Sequence, residues 1–158
     1  MKRISIALAT VALGVSGTAL AQNIFGDPNS GTVTLSANFE DDPRTVSVTS
    51  GGDIDASEAI DGCVGYISED PDVRLSFTAD ESPNAFPLYI SATSDEDTVL
   101  VINAPDGNWY CNDDGSEGQN PSVVFGPAQS GDYEIWIGSY EQGQYHDAQL
   151  NISELGGQ

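Results

Sequence analysis

The spacing of the apolar residues constrains this chain more than any other feature. Val33, Leu35, Ala37 and Phe39 alternate with Thr32, Thr34, Ser36 and Asn38. A period of two places one set on a buried face and the other in solvent, which is the pattern of a half-buried β-strand. Val46 with Val48, then Val73, Leu75 and Phe77, then Leu88, Ile90 and Ala92 repeat it. Thr98 to Ile102 is an unbroken β-branched and leucine run, expected of a central strand covered on both faces. Pro105-Asp106-Gly107 follows as a turn, because Pro presets φ, Asp bonds its own backbone and Gly accepts positive φ. Asn108 to Cys111 then returns as the partner strand, and Val123 to Phe125, Tyr133 to Ile137 and Ala148 to Ile152 complete the set. Gly51-Gly52, Ser130-Gly131 and Gln142-Gly143 mark turns, and Asp55 to Asp61 is weakly helical but short. About eight or nine short strands without a repeat predict an all-β domain over residues 31–155, an antiparallel β-sandwich or jelly-roll-like fold. A closed barrel fits less well, because the strand lengths and spacings are uneven. Residues 22–30 read as a polar lead-in and 156–158 as a tail.

Residues 1–21 have the composition of a secretory signal peptide. Lys2 and Arg3 form a basic start, Ile4 to Leu13 an apolar run, and Ala19-Leu20-Ala21 a small-x-small cleavage site. The apolar run is too short and too interrupted for a membrane span. The expected mature protein is therefore exported, to the periplasm or the exterior, without membrane insertion.

Charge narrows the partners. The chain carries 25 Asp plus Glu against 4 Lys plus Arg, a formal net charge of −21. Removing the leader takes Lys2 and Arg3 with it, so Arg44 and Arg74 alone face all the carboxylates. Nucleic acid is excluded as a partner on this reading, since phosphate binding needs clustered Lys and Arg. Anionic lipid is excluded in the same way.

Cys63 and Cys111 are the two cysteines. In an oxidising compartment an even pair reads first as a disulfide. Closing the loop between them contributes on the order of 4 kcal/mol on the chain-entropy argument. Trp109 shares a strand face with Cys111, so it is expected to pack on the bridge.

Catalytic patterns are sparse. His146 is the single histidine and lies in a polar stretch, where a solvated loop residue is expected. A Ser-His-Asp triad would have to use it, and the mature chain has no G-x-S-x-G elbow and no zinc-ligand spacing. Among so many carboxylates, a glycosidase-like pair carries no information. The densest polar cluster offers hard oxygen ligands of the kind calcium requires: Asp95, Asp97, Asp106, Asn112, Asp113 and Asp114, with Ser116 and Glu117 alongside. The spacing is not that of an EF-hand, and turn chemistry explains many of the same residues. Trp136, Tyr140 and Tyr145 form a candidate aromatic platform for stacking on a sugar ring. Asn151-Ile152-Ser153 matches a glycosylation acceptor but falls within an expected strand.

Five stretches together carry a family resemblance. They are Cys63-Val-Gly-Tyr-Ile, Pro71-Asp72-Val, Asp97-Thr98-Val-Leu-Val-Ile-Asn103, Pro105-Asp106-Gly107-Asn-Trp109-Tyr-Cys111-Asn-Asp-Asp114, and Ser130-Gly131-Asp-Tyr-Glu-Ile-Trp136-Ile-Gly138-Ser-Tyr140. In this order they resemble small secreted bacterial proteins related to the pre-peptidase C-terminal domain, across roughly residues 31–155. The resemblance implies a β-sandwich acting as a non-catalytic accessory or binding module, with the Asp113-Asp114 loop as the ion site to carry over. Its expected ligand is a protein or a polysaccharide. Three alternatives remain beside it: a secreted peptidase using Ser139 and His146, a self-assembling surface protein, and a carbohydrate-binding module.

Overall fold

The computed structural model describes residues 22–115 and 118–156. The expected signal peptide, Ser116, Glu117 and the last two residues of the expected tail lie outside them. Eleven strands and one helical turn follow in order: β1 (Thr32–Ser36), β2 (Arg44–Ser50), β3 (Ile54–Asp55), α1 (Ala56–Ala59), β4 (Tyr66–Ile67), β5 (Val73–Thr78), β6 (Leu88–Thr93), β7 (Thr98–Asn103), β8 (Trp109–Asn112), β9 (Ser122–Phe125), β10 (Gly131–Ser139) and β11 (His146–Ser153). Each of the nine segments expected from periodicity is a strand. The two additions, β3 and β4, are two residues long, too short to show a period.

The strands form two packed sheets. One runs β2-β11-β6-β9. The other is built on β10, whose residues 131–135 pair with β5 and whose residues 134–139 pair with β7 on the opposite side. β1 lies outside β5, β8 outside β7, and Ser139 at the end of β10 meets Tyr66 of β4. Every strand pairing is antiparallel except β1 with β5, which is parallel. Alternation reveals that a strand exists; the crossing of the chain between sheets decides which neighbour it meets and in which direction.

Between the sheets lies the main core, including Leu75, Phe77, Ile90, Leu100, Ile135 and Leu150. A second, smaller core covers the outer face of the β10 sheet. There Ala56, Ile60, Cys63 and Ile67, from the segment 51–67, pack on Val99, Val101 and Trp136. Cys63 is bonded to Cys111 on β8, which pins this cover to the sheet. Trp109 packs against the same cluster, its ring 5.4 Å from that of Trp136. Gly138 permits the crossing, because a Cβ there would sit 2.5 Å from a Val99 methyl and 2.6 Å from the Tyr66 carbonyl. Covered on both faces, β7 is buried along its whole length, as its unbroken apolar run implies.

Where β5 diverges from β10, the ladder has a gap that Asp72 fills. Its carboxylate accepts a 2.7 Å hydrogen bond from the Ile137 N–H, and Asn29 donates to it from the lead-in segment. Burial pushes the Asp72 pKa up to about 6 against these bonds. Nearby, Arg74 pairs with the buried Glu134 at 2.5 Å and donates to the Gly26 carbonyl at 3.0 Å.

Candidate functional site

One end of the sandwich gathers polar side chains from three connections. It lies where β7 begins, β10 ends and β11 begins. A cleft of about 390 Å³ opens there, lined by Glu96, Asp97, Gln119, Ser139, Glu141, Gln144 and His146. Hydrogen bonds tie its walls together. Gln119 donates to Asp97 Oδ2 at 3.1 Å, the Ser94 N–H donates to Asn120 Oδ1 at 2.9 Å, and the Tyr140 N–H reaches the Asp97 carbonyl at 3.2 Å. Gly51 allows β2 to pass beneath the loop of residues 140–145: its φ is +106° and a Cβ would lie 2.2 Å from the Gln144 carbonyl.

The electrostatics of the cleft centre on Asp97. Partial burial raises its pKa, the Gln119 bond opposes that, and the charges of Asp114, Asp113 and Glu141 raise it further. Asp113 and Asp114 thus belong electrostatically to the same end. At the base, Ser139 is only 1% exposed and lines the cleft. Thr98, its cross-strand neighbour, is also buried, and its Oγ1 has no partner.

The expected calcium set does not converge. Asp106 lies at the opposite end of β7, where its oxygens accept from the Asn108 N–H, Asn108 Nδ2 and the Tyr110 hydroxyl. Asn112 Oδ1 accepts from the Ser122 N–H at 2.9 Å and so ties β8 to β9. Asp95 is exposed and lines a separate depression with Ser47, Thr93, Ser94, Asp147 and Gln149. Among the described residues, no three Asp, Glu, His or Cys side chains are grouped to hold a metal ion. As the shell of one calcium ion, the six do not fit.

The aromatic platform is also corrected. Trp136 is 0% exposed, sealed beneath the 51–67 cover, and presents no face to a ligand. Tyr140 and Tyr145, at 49% and 54% exposed, remain on the surface in the loop that borders the cleft. The Tyr145 hydroxyl donates to Asp53 at 3.1 Å. His146 is the first residue of β11 and part of the cleft wall, rather than a solvated loop residue. Asn151 is buried in β11 and donates to Thr93, which removes the glycosylation motif from the surface.

Glu96, Gln119, Ser139, Glu141 and Gln144 had no motif to mark them. One signal was present for Ser139: in β10 the inward set Tyr133, Ile135, Ile137 ends on a serine, a polar residue at a core position.

No family model matches the chain, and no curated protein matches it. Among the described residues, no helix is long and apolar enough to cross a membrane.

Proposed function

We propose that the chain is an exported, non-catalytic binding module that receives its ligand at the acidic end cleft. The observation that carries this reading is the cleft itself: carboxylates of Glu96, Asp97 and Glu141 on its wall, and the hydroxyl of Ser139 at its base. Hydrogen bonds from Gln119 and Tyr140 hold Asp97 in place, so little ordering would be required on binding. The Cys63–Cys111 bridge and the composition of residues 1–21 support export. The resemblance to the pre-peptidase C-terminal domain supports an accessory role. Amide NMR of the secreted protein against a panel of peptides, oligosaccharides and divalent cations tests the proposal. Shifts are expected at residues 94–97, 118–120 and 139–146. Shifts confined to other regions would refute it.

A second reading is favoured by one observation: Ser139, His146 and Asp97 share the cleft, the residue types of a hydrolase triad. Ser139 lies inside β10 rather than on an exposed turn. A binding role therefore fits better. Turnover of casein that disappears in both Ser139→Ala and His146→Ala variants would reverse that order.

A further inference from the structure

We infer that the outer face of the β10 sheet carries a second binding site, for a neutral sugar unit, in the half that the 51–67 cover leaves open. It stands apart from the end cleft, and neither site depends on the other. Tyr133, Ile135 and Ile137 face the main core, so Asp132, Glu134 and Trp136, which alternate with them, face outward. Trp136 is sealed under the cover. Next to it, Glu134 lies opposite Arg74 of β5 on one side and Asn103 of β7 on the other. These three side chains and Asp132 line a cleft of about 580 Å³, within the range that holds organic ligands. Ile24 and Phe25 of the lead-in segment border it, as does the turn at Pro105 and Gly107.

Two features of the cleft are left unused by the fold. Glu134 is 6% exposed; Oε1 accepts from Arg74 Nε, whereas Oε2 is buried without a hydrogen-bond partner among the described residues. A buried acceptor in that state carries a penalty that an arriving donor removes. The other feature is Phe25, 87% exposed on a turn that is firmly tied. The Gly26 N–H closes the turn on the Asn23 carbonyl at 3.0 Å, and Asn23 Nδ2 donates to Asp70 at 2.7 Å. Arg74 Nη2 then fixes the Gly26 carbonyl at 3.0 Å. An aromatic ring held in solvent beside a cleft offers a stacking face that needs little ordering on binding.

The mixture of groups selects the ligand. Glu134 Oε2 requires a donor. Arg74 has more N–H donors than its bonds to Glu134, Ile24 and Gly26 use, and 23% of its side chain is open, so an acceptor is also served. A hydroxyl both donates and accepts, whereas an ammonium only donates and a carboxylate or phosphate only accepts. Charge agrees with this choice. Arg74 opposes an incoming cation, while Glu134, Asp132 and the nearby Asp27 oppose an anion. A peptide strand is disfavoured, because β5, β10 and β7 each have neighbours on both sides and present no edge to extend. A pyranose fits both features: its flat C–H face lies on the Phe25 ring and its hydroxyls reach the planar groups of Glu134, Arg74, Asn103 and Asp132. Asn103 Nδ2 already donates to the Gly107 carbonyl at 3.3 Å, which orders that row in advance.

Amide NMR of the secreted protein at physiological salt tests the site, with glucose, maltohexaose, cellohexaose and chitohexaose as millimolar probes. A blocked Gly-Asn-Gly peptide, propylammonium chloride and sodium acetate are the controls. At least one sugar should shift the amides of residues 24–26, 103–107 and 130–134, and the controls should not. A response to glucose supports a single sugar unit as sufficient; a response to a hexamer alone supports a polysaccharide as the source. Phe25→Ala should weaken binding about tenfold, and Phe25→Trp should hold it within about twofold. Phe86→Ala, an exposed ring outside the cleft, should leave it unchanged. Glu134→Gln should weaken binding as much as Phe25→Ala; if melting curves show that it unfolds early, the Phe25 pair of variants decides alone. No shift of those amides with any sugar would overturn the inference, as would equal weakening by Phe25→Ala and Phe86→Ala. Sugar shifts at residues 94–97, 118–120 and 139–146 instead would move the ligand to the end cleft and overturn this site. Shifts of residues 24–26, 103–107 and 130–134 by a control alone would overturn the ligand class.

Discussion

Asp97 and Asp106 flank the same strand, β7, in stretches of similar composition, yet they do opposite things. Asp106 spends its acceptors on its own turn, through Asn108 and Tyr110, and those bonds hold its pKa below the ordinary value. Asp97 has one side-chain donor, Gln119; partial burial first, and then the charges of Asp114, Asp113 and Glu141, hold its pKa above the ordinary value. A carboxylate satisfied by local donors serves the fold. A carboxylate surrounded by other carboxylates destabilises the fold slightly and is available to a ligand.

The largest test of this contrast is removal of the disulfide. Cys63→Ser with Cys111→Ser should lower stability by about 4 kcal/mol on the chain-entropy argument. The bridge holds the 51–67 cover and the end of β8, just before the loop that crosses Asp97. Amide hydrogen exchange should therefore rise at residues 51–67 and 113–115 before it rises at the Asp106 turn. Simultaneous loss of protection at both ends would break the distinction.

Next in size is the response to pH. The Asp72 pKa is raised from 3.8 to about 6, so the folded state binds this proton more tightly than the unfolded state. Stability should increase as pH falls from about 6 toward 3.8, by up to about 3 kcal/mol from this group. Asp97, Glu134 and Glu154, all raised, act in the same direction. Asp106, lowered, keeps its stabilising contribution until the pH drops below 3.8. Melting temperature is thus expected to rise between pH 7 and pH 4.5, and Asp72→Asn should flatten much of that rise. A fall over the same window would show that the carboxylates favour folding more by their bonds than they oppose it by burial and repulsion.

Two substitutions complete the comparison. Asp106→Ala removes three hydrogen bonds from the turn and should lower the melting temperature by a few degrees. Asp97→Asn relieves repulsion while retaining an acceptor for Gln119, and should leave the melting temperature unchanged or slightly raised. If Asp97→Asn proves the more damaging, the two ends have been assigned the wrong way round.

The site was only partly legible in the sequence. Asp97, Asp113, Asp114, Tyr140 and Tyr145 were singled out by residue type and do meet at one end. Asp106 was grouped with them because it is close along the chain, but a six-residue strand carries it to the other end. Trp136 shares a face with Glu134, as the alternation says; that this face is covered depends on the distant segment 51–67 folding over it. Ser139 and His146 adjoin the same cleft from the end of one strand and the start of the next, a proximity without a local signature.

By itself, the sequence determined the strands, the disulfide pair and the scarcity of cations. Period-two alternation, cysteine parity and charge count are local or additive properties of the chain. The tertiary structure alone decided that β1 runs parallel to β5, that a second core seals Trp136, and which carboxylates share a cleft. Those outcomes depend on how strands cross between sheets, and a strand's period is the same whichever partner it meets.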